Sequence, residues 1–413
     1  MRQIAARSRR GQLCGVIVGV ASLATVAAGA VGAAPGGGVA LEGAARLGPF
    51  CARLAALKQG ARDTVRIVHW GDSHVAAAWL PDGLRRLWQR RFGDGGPGLV
   101  LVGEPWRSYK HGGVRLSAQG AWRAERPWSR YGRGRLRPRD AFFGVAGLSV
   151  HAPDVARAGV EITGEAVDRV TLAYLLQPGG GVLELWSEGR RLGRWPTEAA
   201  AKVSAEVTLA LPRPARQLEL RTQGGEVRLF GVDLTRAAGG LVYDGLGING
   251  ARADGLLQWD EAQLGAQLAQ LAPALLIFAY GSNELDARNL TREGFAQGFS
   301  TALARLRTLA GGAARSSCLV LGITDQARRG PDRHWHEPEL LPALIEEQRR
   351  TAAAAGCAFW DQRAAMGGPG AVFRWAKADP PLAMRDYLHL TLPGYQRLGE
   401  QLFAALLEGC AAE

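Results

Sequence analysis

The sequence predicts an α/β protein in which an antiparallel β-sandwich is inserted into a parallel sheet. Before residue 99 and again after residue 240, short apolar runs alternate with helical patterns, which is typical of a parallel sheet covered on both faces. Between these parts, short segments of alternating polarity separated by Gly-rich turns indicate an antiparallel sandwich. The 413 residues allow two or three domains at roughly 150 residues each, and nearly half of the residues are hydrophobic.

The elements divide the chain into three parts: 41–98 begins the α/β domain, 99–240 is the inserted sandwich, and 241–413 completes the α/β domain. The first part holds a helix, a buried strand from Val65 to Val68 and a helix that runs from Ser73 through Trp88. The sandwich strands are predicted near 160–163, 170–176, 182–186, 207–211, 218–221 and 227–232. The last part alternates strands near 241–244, 274–280, 318–323 and 358–361 with helices over 256–271, 295–309, 340–354 and 393–407.

Residues 1–34 predict an export segment. Four arginines precede an apolar run that starts at Cys14, and small residues from Ala28 to Ala34 offer a cleavage site. An uncleaved anchor in the inner membrane is the alternative, because the run approaches the roughly 18 residues that can span a bilayer. Residues 35–40 are Gly-rich and indicate a linker. In either case we expect the bulk of the chain in the periplasm or outside the cell, with the N-terminal segment as its sole membrane contact.

The formal net charge of +12 indicates which classes of binding partner to consider. The basic residues are scattered, and the sequence carries no zinc finger, helix-turn-helix or RNA-binding aromatic motif, so nucleic acid is not the expected partner. An anionic cell-wall polymer is a candidate instead.

Four cysteines follow the export segment, which is an even number for an oxidising compartment. They predict one or two disulfides among Cys51, Cys318, Cys357 and Cys410, and their pairing stays open. Neither a CxxC pair nor histidines in ligand spacing with acidic residues are present, so we expect no metal and no cofactor.

Ser73 stands where the first predicted strand meets a helix, within Gly71-Asp72-Ser73-His74. A serine at such a turn exposes its hydroxyl at the carboxyl edge of the sheet, beside a helix N-terminus that favours developing negative charge. That placement suits a nucleophile. The alternative is a plain turn in which Asp72 or Ser73 caps the helix, since both residue types are favoured caps.

Other polar residues follow, or lie near, the ends of later elements, at the edge where open α/β sheets form ligand sites. His389 could take the proton of the Ser73 hydroxyl, and Asp386, three residues earlier, could orient the imidazole and stabilise the imidazolium. The backbone N–H groups of Ser73 and Gly250 and the Asn283 amide would then donate to a tetrahedral oxyanion.

Four blocks in this order resemble the SGNH (GDSL) hydrolase superfamily: Gly71-Asp72-Ser73, Ile248-Asn249-Gly250, Gly281-Ser282-Asn283-Glu284 and Asp386-x-x-His389. The resemblance covers about 66–407 without the insertion. It implies a flavodoxin-like three-layer fold, a Ser73-His389-Asp386 triad and an oxyanion hole of Ser73, Gly250 and Asn283. Gly247 competes with Gly250 for the second block, and Glu284 stands where the family commonly has Asp.

Export, Gly-Asp-Ser-His and an inserted sandwich together resemble the peptidoglycan O-acetylesterases, whose inserted domain resembles a carbohydrate-binding module. The resemblance implies a serine esterase that removes O-acetyl groups from cell-envelope glycan, with an acylated glycan or a small ester as substrate. One alternative is an O-acyltransferase on the same site. Others are a lipase- or arylesterase-type GDSL enzyme, and a carbohydrate-binding envelope protein whose triad is unused.

Three further side chains are candidates for substrate binding. His74 neighbours Ser73 and could touch substrate, although a packing or capping role is the commoner one for such a histidine. Trp106 and Trp122 lie in a segment rich in aromatics and arginine, which suits stacking on sugar rings. Alternatively, these rings fill the junction between the two domains.

Overall fold

The computed structural model describes residues 38–127, 140–287 and 289–411. The export segment predicted for 1–34 therefore lies outside the described residues. Within the described ranges, none of the helices is long and apolar enough to cross a membrane.

The first part of the α/β domain contains one strand and three helices. The sequence predicts one helix from Ser73 through Trp88, but the structure divides it at Ala78, whose φ of +65° cannot continue a right-handed helix. The elements are α1 (Gly48–Lys58), β1 (Thr64–Gly71), α2 (Ser73–Ala76) and α3 (Trp79–Phe92).

The insertion is a sandwich of two antiparallel sheets. One has the strand order β10-β7-β12-β5-β4, with β2 also paired to β12, and the other has the order β3-β6-β11-β8-β9. Side chains such as Leu172, Leu185 and Leu220 are fully buried between the sheets. The strands are β2 (Gly98–Val100), β3 (Val114–Gln119), β4 (Arg123–Glu125), β5 (Ser149–Ala152), β6 (Ala156–Ile162), β7 (Val167–Leu176), β8 (Val182–Ser187), β9 (Arg190–Pro196), β10 (Val203–Ala215), β11 (Gln217–Gln223) and β12 (Val227–Thr235).

The chain then returns to the α/β domain and completes its parallel sheet, whose order is β13-β1-β14-β15-β18. This confirms the predicted α/β fold with an added antiparallel sandwich. The elements are β13 (Gly240–Gly247), α4 (Glu261–Leu271), β14 (Leu275–Ala279), α5 (Arg292–Leu309), β15 (Ser317–Leu321), β16 (Arg328–Arg329), β17 (Trp335–His336), α6 (Leu341–Ala354), β18 (Ala358–Trp360), α7 (Gln362–Met366), α8 (Ala371–Ala376) and α9 (Leu392–Ala411).

Helices cover both faces of the parallel sheet, as continuous apolar strands require. Alternate side chains of β1 point to opposite faces. Ile67 belongs to the apolar cluster that includes residues of α1, α3 and α9, whereas Val68 belongs to the cluster that includes residues of α4, α5 and α6. The result is three layers, with the sheet between two layers of helices.

A buried charge cluster joins the sandwich to the parallel sheet. Arg66 of β1 donates to Asp244 of β13 at 2.6 Å and to Asp233 of β12 at 2.7 Å. The same Asp244 accepts the backbone N–H of Leu99 at 2.8 Å. Removing one partner would leave a buried charge uncompensated, so the cluster fixes the sandwich against the sheet.

Two disulfides lie in the α/β domain. Cys51 of α1 is bonded to Cys410 of α9, and Cys318 of β15 is bonded to Cys357, the residue before β18. The sequence predicts one or two bridges without their pairing, and the structure has both.

Candidate active site

The turns that follow neighbouring parallel strands meet at one edge of the sheet. Gly71, near the end of β1, is in register with Gly247 of β13 on one side and with Ala279 of β14 on the other. Because all three strands run in the same direction, their next residues enter the same space. The turns of Ser73, Gly250 and Asn283 are therefore brought together.

Asp72 caps the single-turn helix that starts at Ser73. Its side chain accepts the backbone N–H of His74 at 3.0 Å, which settles which of the two candidates is the cap and leaves the Ser73 hydroxyl for other partners. Burial raises the pKa of Asp72 to about 6, although the hydrogen bond from His74 and the charges of His389 and Arg328 act in the opposite direction. Because this helix has four residues, its dipole is much smaller than the sequence suggests.

Ser73, His389 and Asp386 form a continuous hydrogen-bonded row. The Oγ of Ser73 lies 2.9 Å from Nε2 of His389, and Nδ1 of His389 lies 2.7 Å from Oδ2 of Asp386. The other oxygen of Asp386 accepts the backbone N–H groups of Leu388 and His389. Partial burial would raise the pKa of Asp386, but the hydrogen bonds from the His389 ring and from these two N–H groups lower it overall.

This row fixes how protons are arranged. An ionised Asp386 only accepts hydrogen bonds, so Nδ1 of His389 carries the hydrogen that it donates to Asp386. The other ring nitrogen, Nε2, then accepts the hydroxyl hydrogen of Ser73. The arrangement can deprotonate the serine hydroxyl and hold the resulting imidazolium next to a carboxylate.

Gly250 and Asn283 lie on the two turns beside Ser73. Gly250 has a φ of +76°, which favours glycine over any residue with a side chain. The Asn283 amide donates one hydrogen to the carbonyl of Ala251 at 3.0 Å, and its second N–H is left for another acceptor. Gly247 has a packing role, because a Cβ there would lie 2.1 Å from the backbone nitrogen of Ala76.

Glu284 joins these two turns, and sequence reasoning gave it little weight. Its carboxylate accepts the backbone N–H of Ala253 at 2.9 Å, while Arg252 donates to the carbonyl of Asn283 at 3.1 Å. Burial raises the pKa of Glu284 to about 7, and the charge of Asp72 raises it further, against the hydrogen bond from Ala253. The departure from the common Asp was the signal in the sequence.

His74 is buried beside the row. Its Nδ1 lies 2.9 Å from the Tyr395 hydroxyl, and its ring centre lies 5.5 Å from that of His389. Burial lowers the pKa of His74 to about 3, and the nearby charge of His389 acts in the same direction, so the ring is neutral at pH 7. A packing role accounts for these contacts, and substrate binding by His74 stays a prediction.

The structure places Trp106 and Trp122 in packed positions. Trp106 stacks edge-to-face on Tyr109 with ring centres 4.9 Å apart, and the Tyr109 hydroxyl accepts the N–H of Leu101. The indole of Trp122 lies against Gly103 and donates to backbone carbonyls of the sandwich. These contacts favour the junction-filling alternative, and a role in substrate binding stays a prediction.

A cleft of about 120 Å³ opens beside Gly250. Apolar side chains of Ile248, Leu256, Trp259 and Tyr280 contribute to its lining. Across residues 38–127, 140–287 and 289–411, no group of three or more His, Cys, Asp or Glu side chains is arranged to hold a metal ion.

The layered parallel sheet, with a serine, a histidine and an aspartate aligned at its carboxyl edge, resembles the arrangement of the SGNH hydrolases. Residues 213–397 match the GDSL-like lipase/acylhydrolase family. That range includes Gly250, Asn283, Asp386 and His389. It leaves out Ser73, which precedes the sandwich in sequence but lies next to His389 in the folded protein. The chain is therefore a hydrolase of the esterase class, and it contains a region similar to the GDSL-like lipase/acylhydrolases.

One of the solved structures compared with this chain shares its fold. A structure described as a peptidoglycan O-acetylesterase in action matches with a TM-score of 0.74 and 24% identity, over 88% of this chain and 97% of that chain. A family two carbohydrate esterase from Clostridium thermocellum has a TM-score of 0.29 and 10% identity, over 62% of this chain and 92% of that chain. An acetyl xylan esterase has a TM-score of 0.30 and 16% identity, over 40% and 80%. No curated protein sequence is significantly similar to this chain.

Proposed function

We propose that this chain is an exported serine esterase that hydrolyses O-acetyl groups on a cell-envelope glycan such as peptidoglycan. The observation that carries the proposal is the hydrogen-bonded row in which Ser73 Oγ lies 2.9 Å from His389 Nε2 and Asp386 lies 2.7 Å from His389 Nδ1. In this proposal Ser73 is the nucleophile, His389 the general base and Asp386 the residue that orients the imidazole.

The reaction proceeds in two halves. The oxygen of Ser73 attacks the ester carbonyl while His389 Nε2 takes the hydroxyl proton, which gives a tetrahedral oxyanion and an imidazolium. The C–O bond to the alcohol then breaks, and the imidazolium returns its proton to the leaving sugar hydroxyl. Water attacks the acetyl-serine in the second half and gives a proton to His389. The bond between the acyl carbon and Ser73 Oγ then breaks, the imidazolium returns its proton to Oγ, and acetic acid leaves as acetate after it ionises.

The oxyanion is held by donors on the three adjoining turns. The backbone N–H groups of Ser73 and Gly250 and the second N–H of the Asn283 amide are the donors in this proposal. Removal of one such donor raises the barrier by roughly 3 kcal/mol in well-studied serine hydrolases. Glu284 is a positioning residue here, because it holds the Ala253 N–H on the turn that carries Gly250.

Several observations support the substrate and the location. The fold matches that of a peptidoglycan O-acetylesterase along 88% of this chain, which is more than the α/β domain alone. The cleft of about 120 Å³ beside Gly250 favours a short acyl group over a long chain. The basic n-region and apolar run before residue 35 support export, and the two disulfides support an oxidising compartment.

Hydrolysis is favoured over acyl transfer by the exposure of the site. The side chains of His389 and Asp386 are 30% and 46% exposed, so water reaches the base directly. A transferase has to keep water away from its acyl-enzyme until the acceptor hydroxyl arrives.

The test compares the wild type with Ser73→Ala on p-nitrophenyl esters of increasing acyl length and on O-acetylated peptidoglycan. We expect a preference for acetate, release of acetate from peptidoglycan, and a fall in kcat of about 10⁴-fold or more in the variant. An unchanged unfolding transition is the control for its fold. Hydrolysis that survives Ser73→Ala would contradict the nucleophile, and activity confined to long acyl chains would move the substrate to lipid.

A further inference from the structure

A short hairpin stands next to the site and has no part in the proposed chemistry. It consists of β16 and β17, the paired residues 328–329 and 335–336, with their connecting loop. Arg328 at its base donates to the carbonyl of Ser282 at 3.1 Å and to Asp286 at 2.7 Å, on the turn that carries Asn283. The preceding Ala327 donates its N–H to the carbonyl of Tyr387 at 2.8 Å. The hairpin is therefore bonded both to the turn of Asn283 and to the segment that carries Asp386 and His389.

The hairpin carries an exposed indole. Trp335 is 37% exposed, although an indole gains more from burial than most side chains. Its ring centre lies 5.0 Å from that of Tyr387, which packs in turn on Phe373 at 4.9 Å. Tyr387 is the residue after Asp386 and two before His389. Trp335 is therefore the solvent-facing end of a series of three aromatic rings whose middle ring, Tyr387, belongs to the Asp-x-x-His segment.

Exposed polar side chains flank this indole in the sequence of the hairpin. Residues 331–337 are all exposed. His336 and Asp332 lie 2.8 Å apart, and Arg329 donates to the carbonyl of Arg333 at 3.1 Å, which holds the loop in shape. A rigid aromatic surface with polar groups around it matches a sugar ring, which has apolar C–H faces and a rim of hydroxyls.

We propose that Trp335 stacks on a sugar ring of the glycan that carries the ester, and so selects glycan esters over simple ones. The inference rests on the proposed function, since it names a binding subsite for that substrate. The hairpin contacts the segments that carry Asn283 and His389, so a sugar ring bound on Trp335 belongs to the same oligosaccharide as the reacting ester.

The sandwich offers a second indole, which is the matched control. Trp186 lines a cleft of about 360 Å³ on the outer face of the sandwich. The guanidinium of Arg221 already covers this ring at 4.0 Å, and the indole N–H donates to Glu184. The ring face and the N–H of Trp186 therefore already have protein partners, whereas the ring of Trp335 is partly exposed to solvent.

The experiment measures kcat/KM for O-acetylated glycan fragments and for p-nitrophenyl acetate in the wild type, Trp335→Ala, Trp335→Tyr and Trp186→Ala. We expect Trp335→Ala to lower the glycan-to-simple-ester ratio of kcat/KM about tenfold, chiefly through a higher KM for the glycan. Trp335→Tyr keeps an aromatic face and should retain most of the ratio. Trp186→Ala should leave both substrates unchanged.

A ratio that Trp335→Ala does not change would overturn the inference, as would equal losses on both substrates. A fall caused by Trp186→Ala instead would transfer glycan binding to the sandwich.

Failure of the proposed function has a different signature, in which the wild type cleaves p-nitrophenyl acetate and releases no acetate from glycan. Calorimetric titration of Ser73→Ala protein with unacetylated peptidoglycan fragments then tests glycan binding by Trp335 independently of catalysis. Weaker binding after Trp335→Ala supports the subsite, and unchanged or absent binding overturns it.

Discussion

The edge of the parallel sheet and the outer face of the sandwich differ in what their polar groups can do. The sandwich has the larger cleft, about 360 Å³ against about 120 Å³ beside Gly250. Yet its charges neutralise one another in exposed pairs, such as Arg115 with Glu161 at 3.0 Å. At the sheet edge, Asp72 and Glu284 are buried carboxyls with raised pKa values, next to a serine already bonded to a histidine. A serine bonded to a histidine next to fully buried carboxyls, rather than cavity size, distinguishes the reactive region.

The two regions differ because of strand direction. Parallel strands end at the same edge, so the turns that carry Ser73, Gly250 and Asn283 meet there. The loop before α9 then brings His389 to Ser73. Antiparallel strands end alternately at opposite edges, and their side chains spread over a face instead. A face offers area for contacts, whereas an edge offers convergent backbone and side-chain groups.

The largest effect should come from Asp386→Asn, compared with Glu184→Gln in the sandwich. Both carboxylates orient a ring neighbour, His389 at the edge and Trp186 on the face. An asparagine presents an N–H or a neutral oxygen to the imidazole and loses the charge that stabilises the imidazolium, so kcat should fall roughly 10³- to 10⁴-fold. Initial rates on p-nitrophenyl acetate measure this. Equal activities of the two variants would remove the functional distinction between edge and face.

A smaller effect is expected for Asn283→Ala, with Ser117→Ala on the outer face of the sandwich as its control. Loss of the amide removes one donor to the oxyanion, so kcat should fall about 10²- to 10³-fold with little change in KM. The amide also bonds the Ala251 carbonyl, so the unfolding free energy should drop by about 1 kcal/mol. A loss confined to KM would argue that Asn283 binds substrate in its ground state instead.

The smallest effect concerns two carboxyls, Glu284 at the edge and Glu206 on the sandwich, whose pKa values burial raises to about 7. A carboxyl whose folded pKa lies above its unfolded value makes the fold less stable as pH rises from about 4.5 to about 7. Glu284→Gln should remove about 2 kcal/mol of that loss between pH 5 and pH 8, measured by urea unfolding. Glu206→Gln should remove less, because water reaches its side chain and screens the charge.

Activity separates the same two carboxyls. Ionisation of Glu284 places a negative charge next to Asn283 and against the turn of Gly250, which are two of the proposed oxyanion donors. This charge would disfavour the oxyanion, so Glu284→Gln should alter the pH dependence of kcat near pH 7. Glu206→Gln should leave that dependence unchanged. Identical pH–rate profiles for wild type and Glu284→Gln would show that Glu284 acts on stability alone.

Asp386 and His389 lie in the loop before α9, and the resemblance to the last SGNH block is what identifies them in the sequence. The fold and the position of Ser73 could be predicted because the apolar and helical patterns are strong and Ser73 closely follows a buried strand. The same logic brings Gly250 and Asn283 to one edge. Strand β5 was not predicted because it is short, and β9 was not predicted because it lacks a regular apolar alternation. Strand β3 was missed although its apolar residues do alternate.

Contacts between side chains of distant segments could not be predicted. The bonds of Glu284 to Ala253 and of His74 to Tyr395 depend on register and helix rotation, which no local pattern encodes. Disulfide pairing depends on the same information. The hairpin of Trp335 is held through the bonds of Arg328 to Ser282 and Asp286, which lie more than 40 residues away in sequence and could not be predicted from a local pattern.

The bond between Cys51 and Cys410 makes the intervening polypeptide a covalent ring. A protease that cuts the backbone once anywhere in this ring, including the loops of the sandwich, leaves a single linked molecule. The pieces cannot diffuse apart, so their reassociation stays a concentration-independent, first-order event. For an enzyme proposed to work outside the cytoplasm, a single cut therefore leaves both pieces able to reassociate in the folded state as long as the bond between Cys51 and Cys410 is intact.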